Sequence, residues 1–256
     1  MVFNEHAEMP FVFFTIICAG ILYYYQRGKT GKKINVRTIP ALEALDELVG
    51  RAAEMGGSIV TSTGGGTGIN TPRGPAHLAG LAIIGYVAQL AGKMGIKVLC
   101  ASQFPEQVPI AQETIRQGYF LAGREDLYYD ELVRYYPFGS AFDLGVQTMV
   151  VEENAKSCFW VGWWWQESIY PAIAGRKAGC MQMGGNPSND GSSMLMATCD
   201  YMLLSEELYV AGAYLSKDEP MLGMIVGEDV GKFAAIISIV LFIILTAIGI
   251  NWNWIV

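Results

Sequence analysis

Residues 58–68 read SIVTSTGGGTG. A β-favouring run, Ser58-Ile59-Val60-Thr61-Ser62, passes directly into Thr63-Gly64-Gly65-Gly66-Thr67-Gly68, and a helix-compatible stretch opens downstream near Pro75. Strand, glycine loop and helix in that order form the opening unit of a parallel α/β sheet. Upstream, Leu42, Leu45, Leu48, Val49 and Ala52 recur at helical spacing behind Pro40, a residue suited to a first helical turn, and Gly56-Gly57 ends the pattern.

Downstream the alternation continues. Strands are expected at Ile96–Cys100, Cys158–Val161, Cys180–Met183 and Tyr201–Leu204, and helices at Ile110–Leu121, Ala141–Lys156, Gln166–Ala178, Ser192–Thr198 and Glu206–Ser216. The expectation is a Rossmann-like, doubly wound, mostly parallel sheet of about five strands. Pro75 to Gly92 carries no formal charge and is long enough for a membrane span, but its glycines and alanines make it a helix buried against the sheet or in a subunit interface.

Two further apolar runs stand at the ends. Pro10 to Tyr25 and Phe233 to Val256 contain no charged residue, and each approaches the roughly 20 residues that cross a bilayer. Arg27, Lys29, Lys32, Lys33 and Arg37 follow the first run and Lys232 precedes the second, so the rule that basic flanks stay inside places both termini outside and the centre in the cytoplasm. A cleavable signal peptide would carry its basic residues ahead of the apolar run, not behind it. The expected divisions are a short external N-terminus (1–9), a membrane helix (10–26), a basic juxtamembrane segment (27–37), a cytoplasmic α/β domain (38–231) and a C-terminal membrane helix (232–256). Arg27, Lys29, Lys32 and Lys33 are the expected contacts with anionic headgroups.

The whole chain has a net charge of −7. Setting aside Glu5, Glu8 and the five basic residues of 27–37 leaves twelve basic against twenty-two acidic side chains. That balance opposes nucleic acid as a partner. The five cysteines, Cys18, Cys100, Cys158, Cys180 and Cys199, form no CxxC pair, and His6 and His77 are the only histidines, so neither a disulfide framework nor a metal site is expected.

Ligands of open parallel sheets bind beyond the carboxyl ends of the strands. Gly64, Gly65, Gly66, Thr67 and Gly68, together with Asn186, Ser188 and Asn189 of the loop GGNPSND, are therefore the candidate ligand-binding residues. The glycine loop fits neither GxxxxGK[ST] nor GxGxxG, so a tight structural turn stands beside a phosphate site as its reading. Gly123 to Ser140, with Tyr128, Tyr129, Tyr135 and Tyr136 among charges, reads as an excursion packing on a neighbouring subunit, and Trp163, Trp164 and Trp165 read as interface packing. No residue set carries a catalytic signature, and no cofactor is expected.

Several stretches resemble an uncharacterised family of prokaryotic membrane proteins classed as a domain of unknown function. They are Ile39-Pro40-Ala41-Leu42, Val49-Gly50-Arg51-Ala52-Ala53-Glu54-Met55-Gly56, Ile110-Ala111-Gln112-Glu113, Gly175-Arg176-Lys177-Ala178-Gly179, Cys199-Asp200-Tyr201 with Glu206-Glu207-Leu208-Tyr209, and Ala213-Tyr214-Leu215-Ser216. The resemblance implies membrane anchoring and an α/β fold and brings no established reaction. The functional expectation is a membrane-anchored homo-oligomeric scaffold or an accessory subunit of a membrane complex. The alternative is a tethered nucleotide- or small-ligand-binding domain or enzyme with its site at the glycine-rich loops.

Overall fold

The computed structural model describes residues 8–30, 38–216 and 219–247. The helices are α1 (Glu8–Lys29), α2 (Pro40–Glu43), α3 (Leu45–Glu54), α4 (Gly74–Met94), α5 (Val108–Leu121), α6 (Ser140–Glu152), α7 (Ile169–Lys177), α8 (Asn189–Met196), α9 (Glu207–Ser216) and α10 (Glu219–Ala247). The strands are β1 (Ser58–Gly64), β2 (Val98–Ser102), β3 (Val133–Tyr135), β4 (Ala155–Trp163), β5 (Met181–Asn186) and β6 (Tyr201–Leu204). The chain divides into two compact units, residues 38–215, and residues 1–37 with 216–256.

In the first unit the six strands are all parallel, in the order β3-β2-β1-β4-β5-β6. This is the doubly wound Rossmann order, two βαβαβ halves meeting between β1 and β4. Helices α3, α4 and α5 pack together on one face, and α6, α7 and α8 on the other. Every residue of β1 and β2 is buried, as strands covered on both faces require. The sheet has six strands, one more than the sequence periodicity yields. The extra one, β3, is only three residues long and lies inside the aromatic stretch 123–140, too short to display a period of two. At the other end of α6 the helix stops at Glu152, not Lys156, because Asn154 takes a left-handed φ of 50° and the chain turns into β4.

Among the described residues, one helix is long and apolar enough to cross a membrane, and it is α4, with 61% of its most apolar window buried inside the domain. By that measure α1 and α10, as far as they are described, do not qualify. The small residues of α4 are the reason it can lie so deep. A Cβ on Gly80 would fall against the backbone carbonyl of Val161 in β4, and one on Gly118 of α5 would lie 2.7 Å from the Gly85 carbonyl of α4. At these crossings backbone meets backbone without intervening side chains.

The second unit is a pair of helices. Gly223, Gly227 and Gly231 recur every fourth residue on one face of α10, and a Cβ at each would strike α1 at Tyr24, Ile21 and Ile17 respectively. From the other side, Gly20 of α1 sits against the Gly227 carbonyl and Val230.

Candidate functional site

Because β1 to β5 are parallel and each is followed by a helix, α4 to α8 all begin at the carboxyl edge of the sheet. Between β1 and β4 the connections diverge, and this is where a ligand crevice is expected. Here the crevice is closed by backbone. β1 and β4 stay paired as far as Gly64 and Trp163, and Gly65 N–H donates to the Trp163 carbonyl at 3.1 Å. Gly64 N–H donates to Ser62 Oγ at 3.2 Å and Gly66 N–H to Gln103 Oε1 at 2.7 Å. Three of the amides that a phosphate-binding turn would present are thus spent inside the protein. Gly64 with φ of 91° and Gly162 with φ of 145° make the seam possible, since a Cβ on either would fall closer than 3.0 Å to a carbonyl of the opposing strand.

The tryptophans line this seam and divide between its two sides. Trp164 is fully buried, edge-on to Trp160 at 6.1 Å and against Phe142 at 6.0 Å. Trp163 and Trp165 hold the guanidinium of Arg73 between them, 4.7 and 4.5 Å from the two ring centroids, an arrangement stabilised by cation–π attraction. A Cβ on Gly66 would strike the Trp165 indole. Trp164 therefore serves its own domain, while Trp163 and Trp165 pack on the glycine loop and on Arg73.

Asn186 at the end of β5 is also committed internally. Its Oδ1 accepts from the N–H groups of Trp164 and Ser188, its Nδ2 donates to the Trp164 carbonyl at 3.0 Å, and Ser192 Oγ donates to its carbonyl. The two candidate loops are joined through Trp164, not by facing each other across a cavity. Asn189 opens α8 and is exposed.

The aromatic stretch 123–140 forms one edge of the sheet. Tyr135 lies in β3, Tyr136 N–H donates to the Ser102 carbonyl, and Tyr128 Oη donates to Asp130 at 2.9 Å. Tyr129 lies under Lys97, whose ammonium also pairs with Glu153. Arg27 and Lys29 occupy the exposed last turn of α1, with Lys29 over the Tyr25 ring. Lys32 and Lys33 lie outside the described residues. Among those described, no group of three or more His, Cys, Asp or Glu side chains is placed to hold a metal ion.

A family model described as "Domain of unknown function (DUF6754)" matches residues 1–255. The chain belongs to this family. No curated protein and no solved structure matches it. The family's description assigns no reaction, so the chemistry of this member rests on its own side chains.

Sequence reasoning passed over a feature of the carboxyl edge of this sheet. Among the described residues, six buried side-chain atoms lack a hydrogen-bond partner: Thr67 Oγ1, His77 Nε2, Gln107 Nε2, Asp143 Oδ1, Trp163 Nε1 and Trp164 Nε1. All six belong to residues that end β4, follow β1 or β4, or stand at the start of α4, α5 or α6. Elsewhere the buried polar groups are paired: Thr61, Ser62 and Ser157 bond to backbone carbonyls, and Gln182 bonds to Trp160 and to Ala172. The only sequence signal was that polar residues recur at the starts of these helices.

Asp143 supplies a measurable consequence. Burial, with Glu167 nearby, raises its carboxyl from 3.8 to about 6. The folded state then binds more protons than the unfolded state between those values, so this group's contribution to stability falls as pH rises from about 4 to 6, and its penalty is complete above 6. The full shift would correspond to about 3 kcal/mol, and solvent screening of a partly exposed group reduces that to about 1 kcal/mol. Asp143→Asn should accordingly stabilise the domain by about 1 kcal/mol at pH 7.5 and leave it unchanged near pH 3.5. Denaturant melts of both proteins across that range check this, and a pH-independent difference would contradict it.

Proposed function

We propose that this protein is an α/β domain carried on a two-helix membrane anchor, with both termini outside, the domain cytoplasmic, and a role as a homo-oligomeric scaffold or accessory subunit of a membrane complex. The observation that carries the anchoring is the outer surface of the helix pair. Phe11, Phe14, Leu22, Phe233, Ile237 and Ile243 are each more than half exposed, and Val12, Ile236, Ile239, Val240 and Ile244 are exposed beside them in sequence. Each such side chain gains roughly 1.5–3 kcal/mol on leaving water, so a bilayer stabilises the pair by far more than any surface contact in the chain. In lipid, small residues that let helix backbones approach closely are a favoured means of association, and the Gly223, Gly227, Gly231 row supplies them. Orientation rests on Arg27 and Lys29 in the last turn of α1 and on Lys32, Lys33 and Arg37 after it in sequence.

Assembly rests on the edge of the sheet. β3 pairs only with β2, and Tyr129, Tyr135 and Phe138 around it are exposed. An unpaired edge flanked by aromatic rings is a template for association.

Alkaline carbonate washing of membranes should leave the chain in the pellet. Protease added to intact cells should spare residues 38–215, and the lipid-extracted particle should weigh at least two chains. Release by carbonate rejects the anchor, digestion of the domain from outside rejects the orientation, and a single-chain mass rejects the scaffold.

A further inference from the structure

Where α6 and α7 lie side by side, a groove of about 500 Å³ opens between their final turns. Val150, Val151, Ile173 and Ala174 give it apolar walls, Lys156 and Lys177 line it as well, and no carboxylate does. Val151 is 68% exposed, and Leu144, further back on the same face of α6, is 62% exposed. Among the described residues neither lysine forms an ion pair. An apolar groove with two unneutralised cations fits a partner that brings apolar side chains and carboxylates together.

The same chain supplies that chemistry at the β3 end of its sheet. Phe120 and Leu121, at the end of α5, are 63% and 65% exposed, and Glu125, Asp126, Asp130 and Glu131 follow closely in sequence. Asp126 pairs with Arg124, and Glu113 on α5 with Arg116, which leaves Glu125, Asp130 and Glu131 as the acidic surplus. A two-fold contact of this end with itself would set carboxylates against carboxylates, which like-charge repulsion opposes. The groove instead offers cations to the carboxylates and apolar walls to Phe120. Helices α5, α6 and α7 all begin at the carboxyl edge of the sheet and end at the amino edge, so both surfaces lie at one level along the strands. Rotation of a second copy about an axis parallel to the strands therefore brings its α5 end to the groove.

We propose that the Phe120–Leu121 end of α5, with Glu125 and Glu131, docks in the α6–α7 groove of a second copy of this chain, Phe120 against Val151 and Ile173 and the carboxylates against Lys156 and Lys177. This rests on the scaffold reading above and names the two surfaces that join its copies.

The test is the light-scattering mass of the full-length protein in mild detergent, followed through dilution. Lys156→Glu with Lys177→Glu, and separately Glu125→Lys with Glu131→Lys, should each raise the concentration at which the particle dissociates by about tenfold or more. All four substitutions in one chain should return it to within about threefold of the unsubstituted protein, because opposite charges then face each other again. Val151→Asp, at an exposed helical position where folding tolerates a charge, provides a second reading and should weaken assembly by about tenfold or more. Arg51→Glu, exposed on α3 across the sheet, should leave it unchanged. An unsubstituted protein that weighs a single chain would overturn this proposal and the scaffold reading together. A multi-chain particle indifferent to the lysine reversal and to Val151→Asp, or one that the four combined substitutions fail to restore, would overturn this proposal and leave the scaffold reading standing.

Discussion

Gly162→Ala should destabilise the α/β domain by about 4 kcal/mol or more, enough to unfold much of a domain whose total stability is of the order of 5–15 kcal/mol. Two costs combine. A φ of 145° is a conformation that only glycine adopts without strain, worth about 1–3 kcal/mol. The added methyl also collides with the Thr63 carbonyl on the neighbouring strand, and relief requires prising β1 from β4 at the centre of the sheet. Gly179→Ala isolates the second cost. Its φ of 73° is also positive, but nothing lies within 4 Å of the added carbon, so a loss of about 1 kcal/mol is expected. Equilibrium denaturant unfolding of the two variants decides the matter. A Gly162→Ala protein no less stable than Gly179→Ala would mean that the seam between the two halves of the sheet is loose.

The same seam explains which parts of the molecule were legible in its sequence. β1 and its glycine loop could be read because β-branched residues followed by glycines have few other uses. Helices α4, α5 and α7 could be read because Pro in their first turns and Gly just past their ends bound them. The strand order could not, since parallel neighbours are chosen by packing across the whole domain. β4 was read too short: the strand expected at Cys158–Val161 runs from Ala155 to Trp163, because Gly162, which by pattern weakens a strand, continues it at a φ of 145°.

The glycine loop was legible as a tight turn, but not its purpose. Whether its amides face a ligand or the protein depends on Ser62, Gln103 and Trp163, one of them local and two distant in sequence. His77 was discounted because a lone histidine has no partner to pair with in sequence space. Its place is fixed by a carbonyl fourteen residues away. The Gly223, Gly227, Gly231 row is visible once a spacing of four is sought. A reading by apolar length begins the last helix at residue 232 and passes over it.

Gly227→Leu should separate α10 from α1 while leaving the α/β domain folded. A Cβ at 227 would lie 2.5 Å from Ile21 Cα and 2.9 Å from its amide nitrogen. These are main-chain atoms of a helix and cannot rotate aside, so the helices must part by more than the usual accommodation of a flexible neighbour. Parting exposes Gly223 and Gly231 as well, because all three glycines share one face, and the close contacts are lost together. Overpacking ordinarily costs about 1–3 kcal/mol; loss of the whole row should reach or exceed the upper end. Gly20→Ala is the comparison, since its new carbon would meet the Gly227 carbonyl and Val230 at 3.1 Å, a distance that a few tenths of an ångström relieve, at a cost below about 1 kcal/mol. Unfolding in mixed micelles with rising SDS fraction reads the helix pair, and the near-ultraviolet circular dichroism of the buried tryptophans Trp160 and Trp164 reads the domain. The expected result is an early SDS transition for Gly227→Leu with the tryptophan signal intact. If Gly227→Leu and Gly20→Ala shift the transition equally, the pair is held by apolar contact along its length and the glycine row is incidental to it.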